Sequence, residues 1–210
     1  MKFLTLLKTV AYSPIAFSEK IFNNPKLVAL LRSGIKKIFI FNAFFYSLLA
    51  MLMIFISRHT QNGFDFQDAF LVSLPFLLTG PVLSGLLYLF SFITKWIYKT
   101  AIIWVADHDV KKEKAEKIAL YIIFHAKVLN LFIFGFYALG IIPALLLVYS
   151  EAFAFFAWVL ISISFILATI ISFVFVFRLI YVNYKLFKIH AKVSRFRAIF
   201  LTLVTLLLGS

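Results

Sequence analysis

The stretch AFAFFAWVLISISFILATIISFVFVFR, residues 152–178, decides the class of fold. Its first 26 residues carry no charge, and Arg178 ends the run. A helix rises about 1.5 Å per residue, so about 20 apolar residues are enough to cross the ~30 Å hydrocarbon core of a bilayer. We therefore predict a transmembrane helix over residues 152–177.

The composition of the whole chain indicates the same class. Of its 210 residues, 64% are hydrophobic and 14% are charged, whereas a soluble domain is roughly half apolar and a quarter charged. We predict an all-α integral membrane helical bundle. Lys8 interrupts the short apolar start, so we expect no signal peptide. The chain has no cysteine, which excludes disulfides and thiolate metal sites.

Five apolar runs predict about five transmembrane helices. The runs cover residues 38–57, 69–94, 128–149, 152–177 and 196–210. Lys127 sets the start of the third span, and residues 118–127 form an interfacial lead-in. The last run is short and crosses only if Arg195 and Arg197 snorkel to the headgroups or the bilayer thins. We predict an amphipathic N-terminal segment over residues 1–37 and a transmembrane domain over residues 38–210.

The distribution of positive charge predicts the orientation of these spans. With the assigned spans, 20 of the 21 Lys and Arg residues fall on one side of the membrane, and Arg58 is the exception. Loops rich in Lys and Arg stay in the cytoplasm. We therefore predict a multi-pass protein of the cell membrane, by default a bacterial plasma membrane, with its N-terminus in the cytoplasm.

Three cytoplasmic elements form the predicted face for lipid headgroups or partners. They are the N-terminal helices, a helical hairpin whose charged tip is residues 107–117, and a loop, residues 178–197. Their candidate cations are Lys111, Lys112, Lys114, Lys185, Lys188, Lys192, Arg195 and Arg197. The expected partners are the anionic lipid bilayer and either a cytoplasmic protein or a second copy of the chain. Because topology and headgroup attraction already explain these cations, we expect no nucleic acid.

The N-terminal segment contains two helix-start signals. Ser13-Pro14 and Asn24-Pro25 each place a capping residue before a proline, which favours the first position of a helix. We predict short amphipathic helices over residues 14–22 and 25–33, with Gly34 ending the second. They lie either on the cytoplasmic leaflet or against the protein's own loops, and the sequence leaves both alternatives open.

The second span contains an unusual concentration of proline and small residues. The stretch LPFLLTGPVLSG, residues 74–85, includes Pro75, Gly80, Pro81, Ser84 and Gly85. Proline frees backbone carbonyls that must find another donor in lipid. Small residues four apart allow close helix packing. The stretch is thus interpreted as a packing seam or, alternatively, as the hinge of a transporter.

Side chains for catalysis or metal binding do not converge in this sequence. None of the eight carboxylates lies inside a predicted span, and the four histidines lack ligand spacing. Consecutive side chains point in different directions, so Asp107-His108-Asp109 is better explained as a capping turn than as a metal site. His125 and Lys127 are predicted to be interfacial anchors; the alternative is that they lie deep in the membrane and mark a pathway. We expect no catalytic, cofactor-binding or metal residues and no cofactor.

The chain reads SPIAFSEKIFNNP before its first predicted span and FRLIYVNYKLFKIHAKVSRFRAIFLTLVTLLL near its end, with His190 and Ser194 in the loop before the last span. In these stretches and in its layout of spans, the chain resembles the Yip family of five-span membrane proteins, in its prokaryotic form. The chain departs from the pattern at DHDVKKEK, residues 107–114, and at Lys127. The resemblance implies five spans. Eukaryotic members bind Rab-type GTPases in vesicle trafficking, whereas prokaryotic members have no firmly assigned activity.

The expected function is that of a non-enzymatic membrane adaptor or organiser that works through a basic cytoplasmic face. The alternative is a small transporter or an accessory subunit of a transport complex, which would use the kinked second span and the seam of small residues at 162–172. Uncharged spans argue against a proton or cation pathway. A lipid-modifying enzyme would need polar residues that converge at the interface, and those present are scattered.

Overall fold

The structure is a computed structural model that describes residues 3–61, 66–106, 110–147 and 154–207. These ranges are helical and contain no strand. The elements are α1 (Phe3–Tyr12), α2 (Pro14–Phe22), α3 (Pro25–Gln61), α4 (Phe66–Ser73), a 3-10 segment (Leu74–Leu78), α5 (Thr79–Val105), α6 (Lys112–Leu147), α7 (Ala154–Leu186), a π-helical turn (Phe187–Ala191) and α8 (Arg195–Leu207). The predicted all-α class is confirmed.

Three helical stretches in the described ranges are long and apolar enough to cross a membrane: Phe70–Val105, Lys112–Phe136 and Trp158–Ala191. Their exteriors are apolar as well. On α7, Phe165 and Phe173 are both more than half exposed, which is the surface that hydrocarbon tails accommodate and water does not. The chain is therefore a helical membrane protein.

The chain divides into two compact units, each assembled from several segments. Unit 1 comprises Met1–Lys36, Leu89–Leu131 and Ser172–Ser210, and unit 2 comprises Lys37–Tyr88 and Phe132–Ile171. The predicted boundary after residue 37 lies next to a unit boundary. Unit 1 groups the N-terminal segment with the ends of α5, α6 and α7.

The first two helices pack inside unit 1. Their apolar side chains Leu6, Val10 and Ile21 are fully buried. The Tyr121 hydroxyl on α6 donates a 2.5 Å hydrogen bond to the carbonyl of Pro14, which connects α2 to α6. This burial favours packing against the protein itself, the second of the two alternatives for the N-terminal segment.

Gly34 does not end a helix, contrary to prediction. Helix α3 begins at Pro25 as expected but runs through Gly34 to Gln61. A Cβ built on Gly34 would lie 2.6 Å from the ring of Phe124 and 3.3 Å from Leu6. The glycine therefore permits close helix packing in unit 1 and is not a cap. Helix α1, whose residues carry no proline signal, was not predicted.

The predicted loop over residues 178–197 is also mostly helical. Helix α7 continues past Arg178 to Leu186 and ends in the π-helical turn. Lys192 then takes a left-handed conformation with φ of 55°, and α8 begins three residues later. The prediction equated the end of the apolar run with the end of the helix. Residues such as Val182 and Leu186 instead stay buried in unit 1, and this packing extends the helix beyond the first cation.

Candidate functional site

The charges of the chain are divided unequally between the two units. Unit 2 contains only Lys37 and Arg58 of the 21 cations, together with three carboxylates, a formal net charge of −1. Unit 1 contains the other 19 cations and five carboxylates, a net charge of +14. Like charges collected in one unit produce a strong positive potential. Unit 1 is therefore the candidate functional region.

All eight cations of the predicted face belong to unit 1, where they lie in two groups. Lys111, Lys112 and Lys114 surround the start of α6, whereas the others follow one another from the last turn of α7 to the first turn of α8. A groove of about 480 Å³ is lined by Lys111 and Lys114 from the first group and by His190 from the π-helical turn. The structure thus brings the beginning of α6 close to the second group.

Helix α2 is attached to the π-helical turn by a buried pair. The Ser18 hydroxyl lies 3.0 Å from His190 Nε2, and Phe22 stacks on the imidazole with ring centroids 3.9 Å apart. Ser18 donates its single proton to the carbonyl of Ile15 at 2.6 Å. It must therefore accept from His190, whose Nε2 carries the proton. Because Ser18 is fully buried and its proton is already donated, this pair positions α2 and does not form a nucleophile with its base.

A second polar cluster surrounds Glu116 in unit 1. Its carboxylate oxygens lie 3.2 Å from Arg32, 3.3 Å from Lys95 and 3.6 Å from Lys99. These ion pairs join α3, α5 and α6, and they show that α5 and α6 pack as the predicted helical hairpin. This cluster could not be predicted from local spacing, because Arg32 is 84 positions away from Glu116. The available signal was the two carboxylates, Glu113 and Glu116, within the basic stretch KKEKAEK, residues 111–117.

The prediction that His125 is an interfacial anchor is wrong. Its side chain is completely buried on α6, and neither ring nitrogen has a hydrogen-bond partner among the described residues. Tyr121 lies parallel to the imidazole at a centroid distance of 6.3 Å. Lys127, two residues later, is half-buried. A histidine enclosed in this way cannot reach the headgroups, so its effect is on the interior of unit 1.

The proline and glycine stretch of the second span forms a close contact within unit 2. A Cβ on Gly80 would meet the carbonyl oxygen of Ala43 and the side chain of Ser47 on α3. Ser84 is buried and donates a 2.5 Å hydrogen bond to the carbonyl of Phe39. Gly80 and Ser84 therefore behave as a packing seam. Gly85 has open space around its Cα and takes no part in the seam.

The prolines of this stretch account for an interruption in the helix. Pro75 lies in the 3-10 segment between α4 and α5. Pro81 has no N–H to donate to the carbonyl of Leu77, four residues earlier. The Ser47 hydroxyl donates to that carbonyl instead. The seam thus also satisfies a backbone group that would otherwise lack a donor in lipid.

Metal binding has no structural support in the described residues. No three His, Asp or Glu side chains within these ranges lie close enough to hold an ion. The tripeptide at residues 107–109 lies outside the described ranges, as do the last three residues of the predicted fifth span. In the part of that span that is described, α8 has 13 residues, a length of about 20 Å.

Comparisons with protein-family models, curated proteins and solved structures give no match to this chain. The resemblance to the Yip family therefore rests on the sequence pattern alone.

Proposed function

We propose that this protein is a non-enzymatic, multi-pass membrane protein that acts as an adaptor or organiser through the basic surface of unit 1. The observation that carries the proposal is the division of charge, +14 in one unit and −1 in the other. An anionic cytoplasmic leaflet attracts each nearby Lys or Arg by about 1 kcal/mol. The same cations are available to an acidic protein surface.

The proposal includes a topology and a family. The chain crosses the cell membrane five times with its N-terminus in the cytoplasm, as in Yip proteins. Helices α3, α5, α6 and α7 contain the first four spans, and α8 contains the fifth. At about 20 Å, α8 crosses only if Arg195 and Arg197 extend to the headgroups; both side chains are exposed at its first turn. The positive-inside rule supports the orientation.

Two arrangements in unit 1 argue against an enzyme. The Ser18–His190 pair is buried, and the hydroxyl proton of Ser18 is donated to a backbone carbonyl. Glu116 is paired with three cations, so it is not available as a general base. A hydrolase or transferase needs an accessible nucleophile or base within reach of a substrate. These side chains instead hold helices together.

In-cell photo-crosslinking tests the adaptor proposal. A crosslinking residue is placed at Ala16, Lys112 or Lys192, which are exposed in unit 1, and at Val82, which is exposed in unit 2, as a matched control. We expect one discrete protein to be captured from at least two of the unit 1 positions and none from Val82. If only lipid and other copies of the chain are captured, the protein is an organiser and not an adaptor. Equal capture of the same protein from all four positions would contradict the proposal.

A small transporter is the second candidate, because a specific observation favours it. The helix containing the second span is interrupted by the 3-10 segment, and such interruptions inside helices often mark hinges. Pro81→Ala supplies an N–H that can donate to the carbonyl of Leu77 and should make the helix more regular after the 3-10 segment. Loss of solute flux in reconstituted vesicles, with folding intact, would support transport and contradict the adaptor proposal.

A further inference from the structure

A second groove in unit 1 combines surplus positive charge with an apolar wall. It lies between the first turns of α3 and the start of α6 and has a volume of about 490 Å³. Its cationic lining is Arg32, Lys36 and Lys117, and its apolar lining includes Val28 and Leu120. None of these three cations is among the eight candidate cations predicted from the sequence.

The carboxylates in the groove do not neutralise its cations. Glu116 lines the groove and shares its single negative charge among Arg32, Lys95 and Lys99. This cluster therefore retains a surplus of two positive charges. Lys36 adds another, since it has no ion-pair partner within the described part of the chain.

Glu113 pairs with Lys117 at 2.7 Å, but its side chain is 79% exposed. Water and salt weaken a pair of this kind. A phosphate that enters the groove therefore competes for the cations with two weak competitors. Glu113 is exposed, and Glu116 already shares its charge among three cations.

The surroundings of the groove match an amphiphilic ligand. Lys95 and Lys99 extend from α5 towards Glu116, and Trp96 between them is 65% exposed. Tryptophan with an exposed ring is typical of the level at which hydrocarbon meets headgroups. Val28 and Leu120 offer the groove an apolar wall for the upper part of an acyl chain.

We propose that this groove binds the phosphate of an anionic phospholipid headgroup. The inference rests on the proposed function in one respect only: the proposed function places this side of unit 1 at the membrane surface. Arg32 and Lys36 contact the phosphate, which competes with the Glu116 carboxylate for Arg32. The ligand is a lipid and not a soluble phosphoester, because the apolar wall adds contacts only when an acyl chain is attached.

Lipid titration of the full chain in a neutral detergent tests this proposal. The probes are dioctanoyl phosphatidylglycerol, dioctanoyl phosphatidylcholine and inorganic phosphate, and binding is measured by titration calorimetry. We expect one phosphatidylglycerol to bind and phosphatidylcholine and inorganic phosphate to bind much more weakly. Inorganic phosphate binding as tightly as the anionic lipid would overturn the assignment to a lipid.

Paired substitutions separate the groove from general electrostatic attraction. Arg32→Gln with Lys36→Gln removes two groove cations, and the matched control is Lys8→Gln with Lys20→Gln, two exposed cations of the same unit that lie outside the groove and outside the eight predicted face cations. The first pair should weaken phosphatidylglycerol binding by about 30-fold, and the control by little. Equal losses in both pairs would overturn the groove while leaving the proposed function standing.

Substituting Glu116 should have the opposite effect. Glu116→Gln removes the carboxylate that competes with the phosphate for Arg32 and Lys95, so the affinity for phosphatidylglycerol should rise several-fold. A variant that merely damages the fold would lower it. Should Glu116→Gln fail to fold, Glu113→Gln frees Lys117 at the exposed edge and should also raise the affinity. An unchanged or lower affinity in a folded variant contradicts the proposal.

A failed crosslinking experiment with intact lipid binding would remove the adaptor function alone.

Discussion

Replacing Gly80 by alanine tests whether the second span is held by close packing. The new Cβ would lie 2.6 Å from the backbone nitrogen of Ser47 and closer still to the carbonyl oxygen of Ala43. Backbone atoms cannot rotate away, so α5 must separate from α3. Gly85→Ala, five residues later on the same helix, meets no atom within 4 Å and is the matched control.

The magnitude follows from two opposing effects. Overpacking costs about 1–3 kcal/mol, whereas alanine gains up to about 1 kcal/mol over glycine inside a helix. Gly85→Ala, in the helix interior, has the full stabilising effect of alanine and introduces no steric clash. Gly80 lies in the first turn of α5 and receives less of the gain. The two variants should therefore differ by about 1–4 kcal/mol in the free energy of unfolding, Gly80→Ala being the less stable.

The assay is reversible unfolding of the purified chain in mixed detergent–dodecyl sulfate micelles, followed by tryptophan fluorescence. Size-exclusion chromatography checks that both variants remain monodisperse before unfolding. Should Gly80→Ala be as stable as Gly85→Ala, the seam between α3 and α5 does not exist at the distance described. The interpretation of this stretch as a mobile hinge would then gain support.

Two further predictions concern the interior of unit 1 and the last span. His125→Leu should stabilise the protein by about 1–3 kcal/mol in the same unfolding assay, because both buried ring nitrogens lack partners among the described residues; a large loss would show that the imidazole makes a necessary polar contact. Ser210→Cys introduces the sole thiol of the chain and should react with an impermeant maleimide from outside the cell, whereas reaction only after permeabilisation would leave four spans.

The class of fold and two helix starts could be predicted because they depend on local patterns. Apolar runs identify helices that cross a bilayer, whichever neighbours they meet. Pro14 and Pro25 each mark the first residue of a helix, as predicted. Helix ends were predicted poorly at Gly34 and Arg178. A glycine is a common helix end, and a charge marks where burial in lipid stops being favourable. A helix nevertheless continues past either signal for as long as the protein itself buries one of its faces.

Sequence alone determined that this chain is an all-α membrane protein with its positive charge on particular segments. Only the tertiary structure decided which of those segments meet. Ser18 and His190 are 172 positions apart, and Arg32 and Glu116 are 84 positions apart. No local spacing encodes such pairs, because they depend on how whole helices pack, which is set by the summed contacts of many buried side chains. For the same reason, Gly34 and Gly80 show their roles only when the neighbouring helix is in place.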